Sequence, residues 1–148
     1  MSPTRELDDA ALRALVEAYA AGVDGRRYDE VAALFTDGGV LATSGTPGGG
    51  VEHETVGRDA IARALHGLDR YEATLHVVAN HVASVDGDRA TGETGCLAHH
   101  LERADDGACT DRVLAIRYDD SFERTAAGWA ISRRELHLLW IERRPVER

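Results

Sequence analysis

From residue 71 onward the chain alternates apolar and polar residues in four long runs, at about 72–85, 88–102, 110–124 and 128–141, interrupted at DGD, ADDGA and TAAG. Period-two alternation places one set of side chains on each face of a β-strand, and short turn sequences between such runs leave successive strands antiparallel. Four consecutive long strands form a meander whose apolar face must be covered by something. The preceding seventy residues are the only part of the chain left to cover it.

Those residues read as helices and short strands. Leu7, Ala11, Leu12, Leu15, Val16 and Tyr19 recur at helical spacing, with Asp8 or Asp9 placed to cap the start and Gly22 near the end. Tyr28, Val31, Ala32, Leu34 and Phe35 suggest a second, short helix, and Asp24 sits in the break between the two. Short strands are expected at 39–43 and 51–55, and a third helix from Gly57 to about Leu68. The glycine run in 44–50 has neither the spacing nor the lysine of a phosphate-binding loop and reads as a hairpin loop. The expected class is α+β, as one domain over residues 1–148.

The first two long runs, EATLHVVANHVASVDGDRATGETGCLAHHLE, hold four of the seven histidines. An Asp-Gly pair between alternating runs signals a two-residue hairpin turn. If Asp86-Gly87 is that turn, His76 faces Leu97 and Thr74 faces His99, so His76 and His99 share a face as diagonal neighbours roughly 7–8 Å apart. His81 and His100 then point the other way. A three-residue turn shifts the register by one and substitutes His100 for His99.

Both faces of the first long run are largely apolar, with Leu75, Val77, Ala79, Ala83 and Val85 on one and Val78 and Val82 beside His76 and Asn80 on the other. Three modest helices cover one face only, so a second copy of the chain is expected over the other, as a dimer or trimer. A net charge of −9 argues against nucleic acid and anionic membrane as partners. Small molecules fit better. No apolar run reaches the length of a membrane span and no secretory leader is recognisable, so a cytoplasmic protein is expected. Cys96 and Cys109 are expected to pair across strands with residues near 115 and 103, too far apart for a disulfide. Adjacent His99 and His100 point to opposite faces, as do His76 and His81, which speaks against a metal site.

Four segments, YAAGVDGRRYDEVAALFTDGGVL, VGRDAIARAL, TLHVVANHVASVDGDRATG and GWAISRRELHLLW, together resemble the SnoaL-like branch of the nuclear-transport-factor-2-like superfamily, whose members include scytalone dehydratase and bile acid 7α-dehydratase. The resemblance spans roughly residues 8–141. It implies a cone-like, curved, mostly antiparallel sheet that encloses a pocket with the three N-terminal helices. It also implies that Asp24, His76, and His99 or its neighbour His100 occupy the dehydratases' catalytic positions, with Tyr19 at the position of a tyrosine used by the bile acid enzymes. Val23 and Ala42 stand where scytalone dehydratase has tyrosines, which departs from that enzyme's pattern.

Elimination of water beside a carbonyl requires a base for a carbon-bound proton and an acid for the leaving hydroxyl, and imidazole serves for either near neutral pH. His76 is the expected base. Asp24, hydrogen-bonded to His99, is expected to orient that ring as the acid. Asn80, Val78 and Leu97 are expected to contact substrate, and Arg112 to bind an anionic group on it. The expected activity is a cofactor-independent dehydratase or cyclase acting on a small apolar oxygenated molecule such as a polyketide or terpenoid intermediate. The alternatives are a ketosteroid-isomerase-like polyketide cyclase, or a ligand-binding or assembly subunit that performs no chemistry, as in the β-subunits of ring-hydroxylating dioxygenases.

Overall fold

A computed structural model describes residues 3–148. Helix α1 (Pro3–Asp24) is followed by α2 (Tyr28–Ala33), strands β1 (Phe35–Thr43) and β2 (His53–Val56), and helix α3 (Arg58–Leu65), which runs into a 3₁₀ turn at His66–Arg70. The long strands β3 (Ala73–Asp86), β4 (Arg89–Arg103), β5 (Cys109–Thr125) and β6 (Gly128–Val146) complete the chain. All six strands form one sheet in the order β2-β1-β6-β5-β4-β3. The β1–β6 pair is parallel and every other pair is antiparallel. The α+β class and the mostly antiparallel sheet are as expected from the alternation.

The three helices cover one face of the sheet. Leu12, Val16 and Val23 of α1, Val31 of α2 and Ile61 of α3 are fully buried with Phe35, Phe122 and Ile131. Each such side chain contributes roughly 1.5–3 kcal/mol by leaving water. Helix α1 ends at Asp24, two residues past Gly22, and a Cβ at Gly22 would lie 2.5 Å from Cγ2 of Val31. This glycine allows α1 and α2 to approach closely and does not end a helix. Asp8 lies within α1 and caps nothing. Its carboxylate instead accepts two bonds from Arg124, at 3.0 and 2.9 Å, and one from Trp129 Nε1 at 2.9 Å, tying α1 to the β5–β6 hairpin.

The β3–β4 register departs from the simple turn count in two places. Asp86 pairs with Arg89, so the two loop residues are Gly87 and Asp88. Gly87 has φ +59° and Asp88 is not among the positive-φ residues, the pattern of a type II′ turn with glycine first. Farther along, Asn80 and His81 together face only Thr94, because Ala79 pairs with Gly95 and Val82 with Glu93. This bulge changes the parity of everything beyond it. His76 consequently pairs with Ala98 and Thr74 with His100, so His100 shares the face of His76.

His99 pairs with Leu75 on the outer face, where its Nδ1 is 2.7 Å from Asp111 Oδ2. Leu97 is also on the outer face, opposite Val77. The expected placement of His99 and Leu97 inside is thereby corrected. Asn80 stands exposed at the bulge with φ +53°, away from the interior. Because a β-branched residue is strained at positive φ, Asn80→Val should cost about 1–2 kcal/mol, whereas Asn80→Gly should be tolerated. Urea denaturation of the two variants checks this.

Cys96 and Cys109 are free and buried, paired across strands with Ile116 and Arg103. Among the described residues no helix is long and apolar enough to cross a membrane. The outer face of the sheet exposes Leu75, Val77, Leu97 and Trp140, the last at 59%.

Candidate functional site

Asp24 is the last residue of α1, an unfavourable place for a carboxylate because the helix C-terminus carries partial negative charge. Three donors from β3 offset this. The His76 backbone N–H reaches Oδ2 at 2.8 Å, the Thr74 hydroxyl reaches Oδ1 at 3.0 Å, and His76 Nδ1 lies 2.7 Å from Oδ1. Burial pushes the Asp24 carboxyl upward, but the His76 ring, backbone and charge together with Thr74 hold it below the ordinary carboxylate range. An ionised carboxylate can only accept, so Nδ1 of His76 carries a proton and donates it to Asp24. The ring is almost wholly enclosed, with 7% of the side chain exposed. Asp24 thus orients His76, which corrects the expectation that it orients His99.

His76 lines a cavity of about 270 Å³ between the sheet and helices α1 and α3. His100 lines the same cavity, its ring centre 5.8 Å from that of His76. Tyr71 stacks on His100 at 4.5 Å with planes 16° apart. Both His100 nitrogens are buried and neither has a hydrogen-bond partner among the described residues. Burial, followed by the charges of His76, Arg112 and Arg70 and against that of Asp24, lowers the His100 pKa to about 4. At neutral pH this ring is therefore an uncharged imidazole, with one N–H and one lone pair.

That shift bears on stability. A histidine with a folded pKa near 4 and an unfolded value near 6.5 binds protons more readily when unfolded, so stability is full above about pH 6.5 and declines as pH falls toward 4. The loss is at most about 3 kcal/mol. His100→Leu should flatten the pH dependence of urea midpoints across that window, and an unchanged slope would contradict the burial of a neutral ring.

The rest of the wall is mostly apolar, its polar members being two phenols with Thr43, Thr55 and Arg70. Leu41, Leu65, Leu114 and Leu136 line the cavity with Tyr19 and Tyr118. Behind the phenols, Arg134 is 1% exposed and its guanidinium lies 4.3 Å from the ring centre of Tyr19 and 4.2 Å from that of Tyr118. Asp120 closes the arrangement with two bonds to Arg134, both 2.8 Å. Burial raises the pKa of both phenols, so at neutral pH they remain hydroxyl donors.

Several expected site residues lie elsewhere. Val78 is on the inner face but packs into the main core. His81 is carried by the bulge, its Nδ1 2.8 Å from the Thr94 hydroxyl and its Nε2 buried without a partner, near α1 and outside the cavity. Arg112 is beside His100 on the neighbouring strand and donates to Tyr71. Thr74, Tyr71, Tyr118 and Arg134 were not singled out in the sequence. Thr74 alone had a readable signal, being two residues from His76 on the same strand face. Among the described residues no group of three or more His, Cys, Asp or Glu could hold a metal ion. A larger cleft of about 720 Å³ over the far end of the long strands is lined by groups already in ion pairs, such as Asp119 with Arg117 and Glu135 with Arg133. The smaller cavity holds the imidazoles, and chemistry rather than size marks it as the candidate site.

Comparison with known proteins places this geometry among relatives. Residues 4–135 match the SnoaL-like domain family. An uncharacterised protein of Mycobacterium tuberculosis, Rv2910c, is 26% identical over 129 residues, covering 86% of this chain and 82% of that protein. A Novosphingobium aromaticivorans structure whose assignment as a scytalone dehydratase is provisional superposes with a TM-score of 0.81 at 24% identity, covering 99% of this chain and 94% of that one. The Kfla4162 protein of Kribbella flavida gives a TM-score of 0.82 at 26% identity, with 93% and 95% covered. The hexachlorocyclohexane dehydrochlorinase LinA-type3 of Novosphingobium barchaimii gives 0.77 at 18% identity, with 96% and 92% covered.

Proposed function

Since the chain belongs to the SnoaL-like domain family, we propose that it is a cofactor-independent lyase that eliminates water from a small, mostly apolar, oxygenated molecule by proton transfer through His76. The observation that carries this reading is the Asp24–His76 pair, whose ring lines a closed-in cavity opposite a second, unpartnered imidazole. A half-buried carboxylate held ionised against one imidazole is an arrangement suited to proton transfer. Two structural neighbours, the provisionally assigned scytalone dehydratase and the dehydrochlorinase, are named for eliminations.

In the proposed reaction His76 Nε2 takes a proton from the carbon beside a carbonyl, and the electron pair of that C–H bond forms the new C=C as the hydroxyl leaves the next carbon. The proton on His76 then passes to the departing oxygen, so water is released and the ring returns to its starting state. Asp24 stabilises the imidazolium between those steps. His100, kept neutral, donates its N–H to the carbonyl or the leaving oxygen rather than acting as the acid expected of a second histidine. Tyr19 and Tyr118 supply further hydroxyl donors where charge develops on oxygen.

The test is a panel of β-hydroxy ketones and β-hydroxy acids incubated with the protein and followed by mass spectrometry. Loss of one water that depends on His76 supports the lyase. Deuterium uptake or ring closure with no water lost supports the isomerase or cyclase alternative, in which the same pair moves a proton only. We also propose that the exposed outer strip of Leu75, Val77, Leu97 and Trp140 is covered by another copy of the chain. Leu97→Glu should then reduce the apparent mass in gel filtration, and elution of the unaltered protein as a monomer would refute it.

A further inference from the structure

Beside the His100 end of the cavity, whose wall includes Arg70 but neither Arg112 nor Tyr71, two arginines converge on a single phenol. Arg112 Nη1 donates to the Tyr71 hydroxyl oxygen at 3.0 Å and Arg70 Nη2 donates to the same oxygen at 2.9 Å, while the Arg70 guanidinium also sits 4.7 Å from the Tyr71 ring centre. Tyr71 is 3% exposed and stacks on His100. Acidic residues outnumber basic ones 26 to 17 in this chain, so an arginine without a carboxylate stands out. Among the described residues Arg112 is the one arginine that is not exposed and has no carboxylate within ion-pair distance, and its Nε is buried with no partner. Two cations drawn to one neutral oxygen repel each other, and nothing among the described side chains neutralises them.

The arrangement continues the catalytic row. Thr74, His100 and Arg112 are aligned across β3, β4 and β5 on the inner face, and Arg70 lines the cavity with His76 and His100. Arg134, by contrast, is fully matched by Asp120 and has no capacity for a further anion. A planar guanidinium fork matches a carboxylate in both shape and charge.

We infer that the molecule taken by this cavity carries a carboxylate, which docks against Arg70 at the His100 end, with Arg112 adding its charge across the shared Tyr71 hydroxyl, while the reacting carbon faces His76. The inference rests on the cavity being the working site proposed above, and it narrows the substrate to an oxygenated organic acid. It also changes the character of His100. The groups around that ring are His76, Tyr71, Arg70, Arg112 and Asp24, and a bound carboxylate offsets both arginines, so His100 holds a proton more readily once the site is filled.

Benzoate and its uncharged isostere benzamide are suitable probes, followed through the imidazole nitrogen resonances of the intact protein. Benzoate should move the His100 signals saturably and raise the apparent pKa of that ring, and benzamide should bind about tenfold more weakly or worse. Arg112→Gln should lower benzoate affinity about tenfold while leaving benzamide unchanged. Arg70→Met alters an exposed residue and keeps the test valid should the Arg112 variant fail to fold. Equal affinity for the two probes, benzoate binding that leaves His100 unmoved, or benzoate affinity unchanged in every folded variant would overturn the inference. Repeating the titration in His76→Ala separates this inference from the lyase reading. Retained preference for benzoate with undiminished turnover would remove the catalytic proposal and leave the carboxylate site standing.

Discussion

Replacing Arg134 with methionine should destabilise the protein by about 3–5 kcal/mol, the usual cost of removing one partner from a buried ion pair. The size follows from what is left behind. Asp120 is 3% exposed and both its oxygens are engaged by Arg134, so the variant strands a carboxylate away from water. Tyr19 and Tyr118 also lose the cation between their rings, each contact being worth about 0.5–2 kcal/mol when desolvated. Changing both members, Arg134→Met with Asp120→Leu, removes the stranded charge and should recover much of the loss. Urea denaturation of the single and double variants measures this, and a single variant within about 1 kcal/mol of the parent would show that the pair is hydrated after all. The pair also sets the position of Tyr19 and Tyr118, so the double variant should remain folded with an altered cavity.

The second large effect concerns turnover. On any compound of the β-hydroxy carbonyl panel that the protein dehydrates, His76→Ala should lower kcat about 10²–10⁴-fold with folding intact. Asp24→Asn should fall in the same range, because an amide can present its NH₂ to Nδ1 and reverse which nitrogen of His76 carries the proton. The Asp24 variant should also lose stability above pH 4. A carboxyl whose folded pKa is lowered contributes stability that is present above its unfolded value and disappears as pH falls through the folded one. His99→Ala is the control. Its ring is on the outer face with Asp111, so turnover should stay within a few-fold of the parent. Loss of turnover in the His99 variant with His76→Ala unaffected would invert the assignment of faces.

The contrast between His76 and His99 shows where the sequence stops being informative. Periodicity specified four long strands, and their observed limits differ from the expected ones by only a few residues, because alternation and turn residues act locally. Asp24 and His76 were legible through resemblance to the dehydratases, and Thr74 could have been read from its spacing. The identity of the second imidazole was not. It depends on the parity of a strand pair, and a single extra residue reverses parity without altering the composition or alternation of either strand.

That extra residue lies in the Asn80–His81 bulge, which no local pattern announces. Asparagine tolerates positive φ, but nothing in ANHVAS requires it. The long-range contacts of α1 with β3, and the need to seat Asp24 against both the ring and the backbone of His76, arise only once the helix and strand are docked. The same holds for Arg112 and Arg70, 42 residues apart in the chain and joined through one phenol. The sequence by itself determined the class of fold and the helical cover over the meander, because each follows from local periodicity. Tertiary structure alone decided which histidine entered the cavity, which arginines remained without a counter-ion, and which were matched, because those outcomes depend on register, burial and distance between segments that local pattern does not connect.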